Sequence, residues 1–370
     1  MKLARSSRTS LALVAACALL HFVGQLLGRA SGLNADEQVI LYPALARAVT
    51  SGWEVQFHGI VYEPERHHLL AKVLRRSLGI DDEKITAAEK ATFKQRSAYF
   101  LVDNEHGKDL PLTLAGQTIP LGTSAANGHF QSPAVLISSN RPAPPAGGAD
   151  TNFSLPASIA VHGGGRRELN VQITLLHERG LSVISDIDDT IKVSEVRNKR
   201  ALALNVFCRP YLPVPGMAGT YRSWAQAGAQ FHYVTASPWQ LYLPLSEFTR
   251  SNGFPAGTFH MKTFRVKDET FASLFTSPEK YKPAVIEELF RQFPDRRYVL
   301  VGDSGEKDPE IYGAIMRKHP ERVKLILIRD VTDEAASEAR YRKAFRDLPP
   351  DRWQVFKQAE EVSPALPGQD

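Results

Sequence analysis

Cysteine is almost missing from this chain. Its 370 residues hold two, Cys17 and Cys208, too few for a disulfide framework or a four-cysteine zinc site. A one-sided charge is missing too. The formal net charge is +5, but the first thirty residues hold Lys2, Arg5, Arg8 and Arg29 and no acid, which leaves the remainder at +1. A near-neutral body has no broad positive field for a phosphate polymer, so no nucleic-acid partner is expected. No internal repeat is visible. What is present is core material: 43% hydrophobic and 23% charged residues exclude general disorder, and the length fits two ordinary domains.

The N-terminus reads as an export signal. Lys2, Arg5 and Arg8 precede a stretch from Thr9 to Gly28 without a charged side chain, and Gly28-Arg29-Ala30 offers a small-x-small cleavage site. The expected location is therefore exported, periplasmic or secreted. An uncut membrane anchor and acylation at Cys17 are the alternatives. Cleavage would leave Cys208 without an intramolecular partner.

Past this segment the chain divides near residue 180. Residues 36–180 are strand-rich and broken by turns. Trp53–Tyr62 reads as one half-buried strand with Val55, Phe57 and Val61 on one face, and helices are expected over 67–78 and 86–95. Short apolar runs at 98–102, 111–115, 134–137, 157–161 and 169–176 predict an antiparallel, sandwich-like domain. Gly163-Gly164-Gly165 is expected as a hairpin turn, because no helix follows it. Residues 181–330 alternate short strands and helices, which predicts a mostly parallel sheet covered on both faces. Residues 331–370 are expected as a helical extension.

In such a sheet chemistry sits at the carboxyl ends of the strands. Strand 183–185 runs into Asp186-Ile-Asp188-Asp189-Thr190, and strand 298–301 runs into Gly302-Asp303-Ser-Gly-Glu-Lys-Asp308. Both acidic groups leave the sheet at the same edge. Carboxylates held close repel, and a hard divalent cation such as Mg2+ resolves the conflict; solvated acidic turns are the plainer alternative. A third strand ends at Thr235, and Lys282 opens a helix. Taken alone, Thr235 reads as a helix N-cap and Lys282 as a surface lysine.

The set Asp186-Ile-Asp-Asp-Thr190, Thr235, Lys282 and Gly302-Asp303…Asp308 resembles the four-motif signature of haloacid-dehalogenase superfamily phosphohydrolases. The flanks Ser185–Lys192, Phe231–Leu241 and Val301–Tyr312 resemble the catalytic domain of the actin-patch-protein type phosphatidate phosphatases, which are related to lipins. The resemblance covers 181–330. It implies an α/β fold with a Rossmann-like haloacid-dehalogenase core, a mostly parallel sheet and a small or no cap, preceded by the strand-rich domain. It also implies roles. Asp186 would be the nucleophile that forms an aspartyl-phosphate, and Asp188 the general acid and then base. Thr235 and Lys282 would bind phosphoryl oxygens. Mg2+ would be held by Asp186, Asp188 through its carbonyl, and Asp303, with Asp308 binding it through water or positioning Lys282. Asp189 would be structural.

The gaps between motifs leave room for a small flap near 201–215 but for no large lid. An open site fits a membrane-surface phospholipid or another bulky phosphomonoester. Phe207, Tyr211, Trp239, Leu241 and Tyr242 either touch lipid or pack internally. The activity this implies is Mg-dependent hydrolysis of phosphatidate to diacylglycerol and phosphate. The alternatives are an exported phosphatase for another phosphomonoester and a binding protein with a vestigial phosphatase domain.

Overall fold

The computed structural model describes residues 31–64, 68–137, 152–264, 279–335 and 338–365. The expected export signal at 1–30 and the proline- and glycine-rich stretch 141–148, expected from its composition as a loop, lie outside the described residues.

The first part holds two sheets. Seven strands form one of them, in the order Gln117–Thr123, Asp109–Leu114, Asn152–Ala160, Arg166–Leu176, Ala44–Val49, Gly52–Gln56, Val135–Ile137. All its pairs are antiparallel except Arg166–Leu176 with Ala44–Val49. In the second sheet His58–Glu63 is paired by Gln38–Leu41, Asp103–Asn104 and His129–Gln131. Side chains from both sheets, including Val55, Phe57, Val61, Leu112, Phe130 and Ile173, share one core. The three glycines at 163–165 all have positive φ and turn Asn152–Ala160 back onto Arg166–Leu176.

Two local expectations are corrected. The stretch 53–62 is not one strand: it breaks at Phe57 and feeds two different sheets. Gly59 allows the second piece to close, since a Cβ there would collide with the Ile40 carbonyl and the Phe130 ring. The run at 98–102 is a 3-10 turn over Ala98–Phe100 rather than a strand. The expected helices occur at His68–Ser77 and Ala87–Ser97, the latter opened by a Thr86–Glu89 capping box.

The second part is a six-stranded sheet, paired parallel throughout. Its strands are β1 Gly180–Ser185, β2 Gln230–Pro238, β3 Gly257–Lys262, β4 Arg296–Asp303, β5 Val323–Arg329 and β6 Trp353–Phe356, in the spatial order β3-β2-β1-β4-β5-β6. Its helices are α1 Lys199–Phe207, α2 Met217–Gln226, α3 Tyr242–Ser251, α4 Tyr281–Gln292, α5 Asp308–Lys318 and α6 Ala339–Ala344. Successive strand residues point to opposite faces, and both faces are covered. Val183, Phe231, Tyr233, Val299 and Val301 enter one core, while Ile184, Val234, Leu300, Ile326 and Ile328 enter another with α4 and α5. This explains the unbroken apolar runs in the sequence. The segment after residue 330 is not purely helical, because β6 adds an edge strand to the sheet.

The two parts share apolar packing. Tyr42, Ile60, Leu74, Phe93 and Phe100 belong to the same core as Val183, Phe207, Tyr221 and Trp239. Tyr42 stacks on Trp239 with ring centroids 4.0 Å apart.

Candidate active site

The chain order reverses between β1 and β4, so their carboxyl ends flank a topological switch point. Asp186 leaves β1 there, its N–H still donating to Val301 O at 2.9 Å. Asp303 is the last residue of β4, and Asp308 the first of α5. Each offers an oxygen, and these oxygens lie within 4.8 Å of one another. All three side chains are buried.

Lys282, in the first turn of α4, is fully buried against this trio. Pro283 follows it in a turn whose amides need no helical acceptor, which is why it does not break the helix. The Lys282 ammonium lies 3.1 Å from Asp186, 2.6 Å from Asp308 and 3.4 Å from Glu306. Burial alone would strip its proton, but Asp186 and Asp308 hold its pKa well above the usual lysine range. A surface lysine is therefore not what this residue is. One cation does not balance the acids. Burial pushes the Asp186 carboxyl well up despite Lys282, and burial with Asp308 and Asp186 nearby does the same to Asp303. Asp303 Oδ1 accepts from the Gly305 N–H at 2.6 Å, whereas its buried Oδ2 has no hydrogen-bond partner among the described residues. An orphaned carboxylate oxygen among converging hard oxygen donors fits a divalent cation. The glycines are part of this construction. A Cβ at Gly302 would strike Asp308 and Tyr312, and one at Gly305 would strike Val196 and Asp303.

Asp188 is differently placed. Its carboxylate is not in the trio but is gripped from several sides: Lys192 Nζ at 2.7 Å, Ser194 Oγ at 2.6 Å, Ser237 Oγ at 3.0 Å and Thr235 Oγ1 at 3.4 Å. Burial works to raise its pKa, and Lys192 with the serine hydroxyls overrides it, holding the group below the usual carboxylate range. Thr235 lies within β2 and caps no helix; a register shift in the β2–β3 pairing falls between it and Pro238. The Ser237 N–H donates to Thr235 Oγ1 at 3.1 Å.

Asp189 has a positive φ of 55° and points away from the trio. Its carboxylate accepts the N–H groups of Ser194, Glu195 and Val196 at 2.7, 2.9 and 2.7 Å, folding that loop over Asp188. Thr190 Oγ1 donates to Asp186 Oδ2 at 3.2 Å.

Four participants escaped the sequence reading: Lys192, Ser194, Ser237 and Glu306. Lys192 stands four residues past Asp188 and Ser237 two past Thr235, so both carried a positional signal. Glu306 stood in the acidic run between Asp303 and Asp308, and Ser194 carried no signal.

A cavity of about 420 Å3 opens beside the acids. Asp188, Ser237 and Glu306 line it together with the apolar Leu202, Val206, Phe207 and Leu241. Of the five apolar residues considered for lipid contact, only Phe207 and Leu241 reach this cavity. Trp239 and Tyr242 pack in the aromatic cluster around Tyr42, and the Arg96 guanidinium covers the Tyr211 ring at 3.7 Å. The flap region is helix α1. Arg96, from the first part of the chain, ties its end by donating to Val206 O and Arg209 O at 2.7 and 2.8 Å.

Comparison with known proteins bears on the same residues. The model of the family "Phosphatidate phosphatase APP1, catalytic domain" matches residues 181–330. Those residues are thus similar to a catalytic domain of that type. Phosphatidate phosphatase APP1 of Saccharomyces cerevisiae is 33% identical over 154 residues, which is 40% of this chain and 26% of the yeast protein. An uncharacterized protein of Schizosaccharomyces pombe is 30% identical over 167 residues, 44% of this chain and 27% of its own length. The chain thus spans about a quarter of the length of the curated relatives it matches. Among solved structures, a 2,6-sialyltransferase from a Photobacterium species aligns with a TM-score of 0.23 and 9% identity over 61% of this chain and 37% of that one, too slight a likeness to bear on the fold.

Proposed function

We propose that this chain is a Mg-dependent phosphatidate phosphatase that releases diacylglycerol and phosphate, built on a haloacid-dehalogenase-type core. The observation that carries this is the convergence of Asp186, Asp303 and Asp308 on Lys282 at the switch point of an APP1-type catalytic domain. The strand order supports the core assignment.

Asp186, Asp303 and the Asp188 carbonyl would hold the ion, with Asp308 nearby. When bound, Mg2+ supplies neutralisation of the phosphoryl oxygens, without which a carboxylate is too weak a nucleophile. Thr235 and Lys282 orient the phosphoryl group. Asp186 attacks phosphorus in line, an acyl–phosphate bond forms, and the ester P–O bond breaks. Asp188 hands a proton to the departing diacylglycerol oxygen. Lys192 and Ser237 hold Asp188 as a carboxylate in the free protein, so that proton arrives with the substrate: a phosphomonoester has a second pKa near 6 and enters partly as the monoanion. Asp188 then takes a proton from water, which attacks the aspartyl-phosphate and frees Asp186.

The cavity, about 420 Å3, falls within the roughly 300–1,000 Å3 of small-molecule pockets and has room for a phosphate headgroup. The acyl chains of phosphatidate would stay in the lipid surface. Export, or anchoring by the N-terminal segment, is proposed on residues 1–30 alone. The deciding experiment is phosphate release from phosphatidate vesicles and from water-soluble phosphomonoesters, with Mg2+ and with chelator. Chelator-sensitive release from phosphatidate is expected. Release from soluble esters alone would favour a phosphatase for another substrate, and no release from any ester a vestigial domain.

A further inference from the structure

The turn from Asp303 to Asp308 directs the Glu306 and Asp308 carboxylates to Lys282, and Arg340 lies against its backbone beside the cavity next to the acids. The guanidinium of Arg340 donates to two carbonyls of the turn, Ser304 O and Glu306 O. The same guanidinium donates to the Glu310 carboxylate, through Nε at 2.9 Å and Nη2 at 3.1 Å. Glu310 lies in the first turn of α5, two residues past Asp308. One planar group therefore ties the turn to the helix that carries Asp308. The neighbouring segment adds to the hold. Ser304 Oγ accepts from the Val331 N–H at 2.9 Å and lies 2.9 Å from Thr332 Oγ1. Arg340, Val331 and Thr332 stand beyond residue 330, outside the residues that the family model matches.

We propose that Arg340 is a positioning residue for the acidic centre, fixing the spacing of Asp303 and Asp308 and thereby the affinity for a divalent cation. The proposal rests on reading that centre as a cation site. Buried carboxylates of like charge push apart, and a short turn yields unless its backbone is held. Arginine offers five donors in a fixed fork; lysine offers a point charge that cannot span two carbonyls and a carboxylate together. The segment after residue 330 is then a working part of the site.

The test measures Mn2+ binding to the full chain by electron paramagnetic resonance, without substrate. Groups that orient metal ligands usually contribute about ten- to a hundredfold in affinity. Arg340→Gln is expected to weaken Mn2+ binding about tenfold, with a melting temperature near wild type. Arg340→Lys should lose nearly as much. Glu310→Gln, which cuts one arm, should lose about threefold. Unchanged affinity in folded Arg340→Gln, or full recovery in Arg340→Lys, would overturn the proposal. Should Arg340→Gln fail to fold, unchanged affinity in Glu310→Gln overturns it. Wild-type protein that binds no Mn2+ sinks the proposal together with the cation site. Protein that binds Mn2+ but leaves phosphatidate intact counts against the phosphatase reading only, because the affinity comparison is still read.

Discussion

At the amino ends of the parallel strands, Arg296 is buried and fully engaged. Its guanidinium donates to Ser182 Oγ and to the carbonyls of His177, Arg179 and Leu181, all between 2.8 and 2.9 Å. Arg322 beside it donates to the carbonyls of Arg296, Phe290 and Phe293. At the carboxyl ends, by contrast, Asp303 is equally buried but keeps one oxygen without a partner, and Asp186 and Asp308 share a single lysine. Both ends bury charge. Only one end finishes satisfying it. Buried charge with every partner in place makes structure, while buried charge left short is held ready for something that arrives later.

Substitutions can break this contrast. The largest effect is expected from Asp186→Asn, which should lower phosphate release by a factor of about 1,000 or more while the protein stays folded. Asp303→Asn should do comparable damage to cation-dependent turnover, yet leave the melting temperature of the metal-free protein unchanged or higher, because it removes a repelled charge. A clear loss of stability in Asp303→Asn would mean that the acids are structural after all. Arg296→Met should behave the opposite way. It strands several buried carbonyls and is expected to cost about 3 kcal/mol or more in urea melts, with normal turnover per folded molecule.

The amino half also predicts a pH dependence. His232 bonds Thr258 Oγ1 and Ser182 Oγ, and His260 bonds the same threonine. Burial lowers the His260 pKa from 6.5 to about 4 and moves His232 in the same direction. The unfolded chain therefore takes up protons near pH 6.5 that the fold refuses until lower pH. Stability is full above pH 6.5 and falls as the pH drops towards 4, by up to about 1.4 kcal/mol per pH unit for each histidine. Urea melts at pH 7, 6 and 5 should show the decline, and His260→Gln should make it shallower. A smaller effect is expected from Ser237→Ala, which removes one of four groups on Asp188. Turnover should fall about tenfold, with stability changing by about 1 kcal/mol or less. Unaltered turnover would place Ser237 outside the chemistry.

Much of the carboxyl end was legible in the sequence because its grammar is local. A buried strand followed at once by acids, repeated in the right order, places Asp186 and Asp303 at one edge without any knowledge of distant contacts. The grip on Asp188 was not legible. Lys192 and Ser194 reach it only because Asp189 folds their loop back, and a positive φ at an aspartate leaves no periodic trace. The split at Phe57 was hidden for a related reason. Alternation looks the same whether five residues pair with one sheet or another, and long-range pairing alone decides. Strand β6 is four residues long and follows a proline-flanked turn, which local propensity cannot separate from loop. The aromatic residues from Phe207 to Tyr242 show the same ambiguity in composition: apolarity does not say whether a ring faces a ligand, a neighbour or lipid.

The stack of Tyr42 on Trp239 has a consequence for how this molecule can be cut and inherited. Trp239 directly follows β2, the strand that carries Thr235 and Ser237, so one ring of the stack adjoins a strand of the candidate site. A fragment trimmed to residues 181–330 would lose Tyr42, the Arg96 tie on α1 and the edge strand β6 in one stroke. The two halves are thus not beads that recombination can exchange freely. A change of ring at position 42 would be felt, through one shared surface, beside Thr235 and Ser237.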